Sequence, residues 1–227
     1  MIPKIIHYCW FGGKDKPEFV QKCIESWKTI LPDYEIKEWN ESNFDYKAYD
    51  FTREAYALKK YAFVSDVARL MALHIEGGIY LDTDVIVLKT FNPFLIHKSF
   101  IGRETPCILS TAVIGAEAGT RWIKDFLDGY TPKGKHFINN DGSVSDQPNT
   151  MLLTSMITWT WDRRKDELAI YDQDYFCCKS IQTREIETTE NSVAIHNFEG
   201  SWCVTSKSHL PLKDRIKNLW VKIQLRK

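Results

Sequence analysis

Residues 61–89 read YAFVSDVARLMALHIEGGIYLDTDVIVLK, and this stretch leaves little freedom in how it folds. Phe63, Val67, Leu70, Met71 and His74 recur near helical spacing, while Ala62, Ala68, Ala72 and Leu73 make most of the remaining circumference apolar or small. Such a helix belongs in an interior. Asp66 and Arg69 stand three apart on it and are neighbours on one face, and residues of this kind are rarely buried without a partner. Gly77-Gly78 then supplies the unusual dihedrals that end a helix. Residues 79–88 follow as a β-rich apolar run, interrupted only by Asp82, Thr83 and Asp84. In one continuous strand Tyr80, Asp82 and Asp84 would project to the same side. Two carboxylates held together repel unless a proton or a cation lies between them.

The chain has 227 residues, 44% hydrophobic and 13% aromatic, enough for one α/β domain with a sizeable core. Lys+Arg and Asp+Glu both number 30, so no global basic field points to nucleic acid. Cysteines at 9, 23, 107, 177, 178 and 203 form no CxxC pair and no zinc spacing, a pattern that suits reduced thiols in a cytoplasmic protein. The opening MIPKIIHYCWFGG is too short and polar for a signal peptide, and no long apolar run suggests a membrane span.

Residues 2–8 read as a buried strand leading to Trp10, Gly12 and Gly13, and a first strand followed by glycines commonly opens a nucleotide site in α/β proteins. Residues 17–30 predict an amphipathic helix and 34–39 a second strand, so the βαβ order argues for parallel pairing. An irregular connection or short helix is expected over 40–53, strands over 99–102 and 108–115, and helices over 119–130 and 151–161. Residues 131–149 are a long polar segment without apolar period, which in a compact domain marks a functional or disordered loop. In the closing helix, 211–227, Leu212, Ile216, Leu219 and Ile223 share a stripe, and six basic residues stand against one Asp. Two readings stay open for it: a solvated basic helix packed on the domain by its stripe, or an interfacial helix drawn to anionic lipid.

Ser65-Asp66-x-x-Arg69, followed by Gly77-Gly78-Ile79-Tyr80-Leu81-Asp82-Thr83-Asp84, resembles the DXD-containing sugar transferases (glycosyltransferase family 32-like). That family includes yeast initiating α-mannosyltransferases, bacterial capsule and lipopolysaccharide transferases and, distantly, the clostridial glucosylating toxins. The likeness extends to residues 5–12 and to His196 through Trp202. It implies a single GT-A domain over 1–210, a nucleotide-binding, Rossmann-like mixed sheet flanked by helices, with the basic helix 211–227 appended.

The resemblance also implies site roles. Asp84 would be the direct ligand of Mn²⁺ or Mg²⁺, Asp82 would touch ribose or metal-bound water, and His196 would complete the metal shell or touch phosphate. Trp10 would stack on the base with His7 shaping that pocket. Asp66 and Arg69 would hold the donor sugar, Tyr80 would line its pocket, and Ser201 and Trp202 would donate to the diphosphate. Asp66 and Arg69 could instead simply neutralise one another, and His196 could be an ordinary strand-end histidine. Asp146, in Ser145-Asp146-Gln147-Pro148-Asn149, falls where the family has a differently spelled segment.

The function implied is metal-dependent, retaining transfer of a hexose from a UDP-linked donor such as UDP-galactose, UDP-glucose or UDP-N-acetylglucosamine. The acceptor would be a glycan or lipid-linked glycan in capsule, exopolysaccharide or lipopolysaccharide synthesis, met at the inner face of the cell membrane. GDP-mannose-dependent transfer, and nucleotide-sugar binding without transfer, are the alternatives.

Overall fold

The computed structural model describes residues 1–199 and 211–225. The chain runs β1 (Ile5–Cys9), α1 (Glu18–Ile30), β2 (Glu35–Trp39), α2 (Asp50–Ala57), α3 (Tyr61–Glu76), β3 (Gly78–Leu81), β4 (Val85–Val87), β5 (Ser99–Thr105) and β6 (Ile108–Ala116). It continues through α4 (Arg121–Asp128), α5 (Asn149–Thr160), β7 (Ala169–Tyr171), α6 (Gln173–Phe176), β8 (Ala194–His196) and α7 (Leu212–Gln224). Six strands form a mixed sheet in the order β2-β1-β3-β6-β5-β7. The β1, β2 and β3 strands are parallel, β6 runs against both β3 and β5, and β7 is parallel to β5. The β4 and β8 strands pair separately, setting Val85 opposite His196.

Alternation along the strands divides the core between the two faces. Tyr80, Ile101 and Ile114 turn toward α3, α4 and α5, where Phe63, Val67, Leu70 and Trp122 are buried. Ile79, Leu81, Phe100 and Val113 turn toward α1 and the Phe91, Phe94 and Phe176 cluster. Val20, Cys23, Ile24 and Trp27 form the buried stripe of α1, and Trp27 Nε1 donates to Val85 O at 2.8 Å. Ser26 Oγ accepts from Val87 N at 3.0 Å, so α1 clasps β4 by side chains. Among the described residues no helix is long and apolar enough to cross a membrane.

The α3 helix ends at Gly77, where φ is +67°, and Gly78 opens β3 at φ +105°. A Cβ on Gly78 would meet Ile5 O at 2.7 Å and His7 Nε2 at 3.0 Å. The backbone of β3 therefore lies against β1 more closely than any side chain permits. Gly78→Ala should cost about 2–4 kcal/mol of stability, from backbone strain plus overpacking. Urea unfolding would measure it, and a loss below about 0.5 kcal/mol would mean that β3 can shift aside.

Two expectations are corrected here. Residues 79–88 are not one strand: β3 stops at Leu81, Asp82 N donates to Ala112 O at 2.9 Å, and Val85 N closes a turn on Asp82 O at 3.1 Å. The polar Asp-Thr-Asp segment bends the chain out of the large sheet into the small one. Residues 131–149 are not merely polar loop, because Phe137 and Ile138 are fully buried and Glu54, itself buried, accepts from Ile138 N at 2.8 Å.

Candidate active site at the end of the central strand

Because β1 and β3 are parallel, with His7 opposite Tyr80, their carboxyl ends open on the same side, where ligands of α/β sheets bind. Asp82 and Asp84 follow β3 at that edge. A turn, not strand alternation, brings the two carboxylates together.

Arg69 is the hub of the inner part of the site and is 5% exposed. Its guanidinium is 3.0 Å from Asp66 Oδ1 and 3.3 Å from Asp82 Oδ1. It also donates to Thr111 O at 2.8 Å and lies 4.5 Å from the centre of the Tyr80 ring. The Tyr80 hydroxyl donates to Asp82 Oδ1 at 2.9 Å. One planar fork thus binds helix α3, the DXD turn and strand β6 in a geometry that a lysine could not reproduce. Burial pushes the Asp66 carboxyl up to about 7, with the Asp82 charge adding to it, against the lowering effects of Arg69 and of an Asn149 hydrogen bond.

The outer part is formed by Asp82, Asp84 and His196, whose ligand atoms all lie within 4.8 Å of one another. His196 Nε2 is 3.4 Å from Asp84 Oδ1, and Asp84 Oδ2 accepts from Glu199 N at 2.9 Å. Asn197 donates its backbone N–H and its side-chain amide to Asp84 O at 3.1 and 2.9 Å. Burial raises the Asp84 carboxyl, but bonding to His196 and Glu199 N outweighs burial and holds it below the usual carboxylate range. Burial opposes a charge on His196, yet Asp84 and the Cys177 thiol raise that imidazole well above its ordinary value.

Two carboxylates and one imidazole nitrogen at this separation fit a divalent cation. A proton on His196 Nε2, the nitrogen facing Asp84, would have to leave before a cation could be held between them.

The structure distributes the remaining expected residues unevenly. Trp10 continues from β1 at the same edge, with its indole N–H donating to Lys14 O at 2.6 Å. His7 is fully buried beneath the site. It bonds Gly77 O at 2.7 Å and accepts from Trp39 Nε1 at 3.0 Å, so it can act on a ligand only through the turn that it supports. Ser201 and Trp202 lie outside the described residues. Asp146 is exposed.

Three residues that the sequence did not single out border the cluster. Asn149, the first residue of α5, donates to Asp66 Oδ1 at 2.5 Å and accepts from Thr111 Oγ1 at 2.9 Å. Glu104, on β5, is pushed by burial up to about 6 and feels the charges of both His196 and Asp82. The Ser-Asp-Gln-Pro-Asn segment was the one signal for Asn149; nothing local marks Thr111 or Glu104.

An α/β sheet bearing an Asp-x-Asp turn at the end of its central strand, backed by a buried Asp–Arg pair, defines a GT-A glycosyltransferase fold. The solved PaToxG glycosyltransferase shares that fold, with a TM-score of 0.52, 22% identity and coverage of 70% of this chain and 68% of that one. Residues 17–101 match the glycosyltransferase sugar-binding region containing the DXD motif. Inositol phosphoceramide mannosyltransferase 3 of Schizosaccharomyces pombe is 33% identical over 125 residues, 52% of this chain and 34% of the relative. An uncharacterized glycosyltransferase of Acanthamoeba polyphaga mimivirus is 28% identical over 183 residues, 77% of this chain and 72% of that protein. The chain is thus similar to DXD-containing glycosyltransferases over residues 17–101 and over the stretch it shares with the fungal relative. It spans about a third of the length of the fungal relative, 34%.

Proposed function

We propose that this protein transfers a hexose, with retention, from a nucleotide sugar to a glycan or lipid-linked glycan, using Mn²⁺ or Mg²⁺ held by Asp84, Asp82 and His196. The observation that carries this reading is the adjacency of two clusters through one carboxylate. Asp82 belongs both to the trio with Asp84 and His196 and to the buried network of Arg69 and Tyr80. A cation site is thereby joined to a group of hydrogen-bonding side chains suited to sugar hydroxyls. When bound, the cation would neutralise charge on the departing diphosphate.

The chain's own residues have separate tasks in this reading. Arg69, with Asp66 locked against it, presents a fixed fork to the donor sugar, and Tyr80 walls the same pocket. Trp10 stacks on the base while His7 holds the Gly77-Gly78 turn beneath it. Ser201 and Trp202 donate to the diphosphate, and segment 131–149 orders further around the donor. No carboxylate is needed as a covalent nucleophile: front-face attack asks the enzyme to align acceptor and donor and to stabilise the leaving group. Residues 1–210 form the transferase domain.

Resemblance to capsule and lipopolysaccharide transferases favours a UDP-linked hexose and a cell-surface polysaccharide acceptor at the inner face of the membrane. A second reading, mannosyl transfer from GDP-mannose, is favoured by the mannosyltransferase name of the fungal relative. Incubating the purified chain with a panel of UDP- and GDP-sugars, with Mn²⁺, with Mg²⁺ and with chelator, should reveal metal-dependent donor hydrolysis for one sugar. A donor that binds by calorimetry but is neither hydrolysed nor transferred would make this a binding protein.

A further inference from the structure

Among the described residues α7 is attached to the domain by polar side chains together with the half-buried Val221, which packs against the core. Asn218 and Lys222 are 8% and 4% exposed. Asn218 Nδ2 donates to Gly142 O at 3.0 Å, Lys222 Nζ to Ile138 O at 2.5 Å, and Arg215 pairs with Asp141 at 2.7 Å. The residues that a helix ordinarily buries face outward. Leu212, Ile216, Trp220 and Ile223 are 71%, 58%, 62% and 55% exposed. Their spacing of four, four and three makes them one stripe, and it differs from the sequence expectation in that Trp220 joins the stripe while Leu219 is half-buried. Lys213 and Lys217 are exposed along one border of it.

We propose that this outward face of α7 seats the protein on an anionic lipid bilayer. The helix is held to the domain by the side opposite the stripe, through Asn218, Lys222 and Val221, so the apolar stripe can enter the headgroup boundary as a unit. A helix with Leu, Ile and Trp on one face and lysines beside them has the composition of an interfacial anchor. The bordering cations select a partner that carries negative charge next to an apolar surface, which anionic headgroups over acyl chains supply. The apolar stripe therefore does not pack on the domain, the first of the two readings left open from sequence. The inference is independent of any donor, since it needs only the helix and the surface.

Sedimentation of the full chain with vesicles tests it, comparing pure phosphatidylcholine with phosphatidylcholine containing about 30% phosphatidylglycerol, anionic enough to resemble a charged leaflet. The wild type should sediment with the anionic vesicles and much less with the neutral ones. The double variant Ile216→Ser/Trp220→Ser should bind at least about tenfold more weakly with an unchanged melting temperature, because both side chains already face solvent. Lys213→Gln/Lys217→Gln should lose about fivefold per lysine on anionic vesicles alone. Wild type that fails to sediment, or variants that bind as the wild type does, would overturn the proposal. So would a Ser variant that changes only self-association in the ultracentrifuge, which would make the stripe a protein contact.

Discussion

Asp84→Ala should lower metal-dependent turnover of the nucleotide-sugar donor by roughly a thousandfold or more, with secondary structure and cooperative unfolding retained. Asp84 stands between the two parts of the outer site: Oδ1 faces His196 and Oδ2 takes the Glu199 N–H. Its removal takes away one of two carboxylates and the bond to Glu199 N, whereas the two Asn197 bonds, made to the Asp84 backbone carbonyl, remain. Mn²⁺ affinity, followed by calorimetry or electron paramagnetic resonance, should fall together with turnover. Asp84→Asn keeps the shape and should lose nearly as much, because the negative charge is what faces the cation. Near-normal turnover by either variant in the presence of metal would remove the Asp84 centre from the mechanism.

Arg69→Met should destabilise the protein by about 3–5 kcal/mol at pH 8, the cost of leaving buried carboxylates without their cation. The deficit should shrink near pH 5. Asp66 is raised by burial from the ordinary 3.8 to about 7 despite Arg69. A carboxyl raised on folding contributes stability below its unfolded value, and that contribution is lost as pH climbs through the folded one. In the wild type this loss runs from about pH 4 to about pH 7. Without Arg69, which lowers Asp66, the loss continues to higher pH, so wild type and variant diverge most above neutrality. Urea titrations at the two pH values measure the difference. Equal deficits at pH 5 and pH 8 would show that Arg69 matters through packing and not through its charge.

The part of the site visible in the sequence was the part written in one local segment. Helical spacing made Asp66 and Arg69 neighbours, the apolar circumference required the helix to be buried, and the glycines had to end it. Those features follow from bond geometry and side-chain volume within one turn. The strand reading of Asp82 to Asp84 failed on the same stretch, because alternation is a property of a continued ladder. Whether the ladder continues depends on Ala112 and Trp27, which are far away in sequence.

The chain's own order of residues thus determined a buried α3, a Gly-Gly turn against β1 and a pair of acids just beyond a central strand. Tertiary structure alone decided that β4 leaves the large sheet to pair with β8, and so sets His196 beside Asp84. It alone decided that Asn149 bonds Asp66, and that α7 shows its stripe to solvent. The physical reason is common to all three. A sequence period states that a polar group or apolar stripe must be satisfied, whereas the identity of what satisfies it is set by packing between segments that only the folded chain brings together.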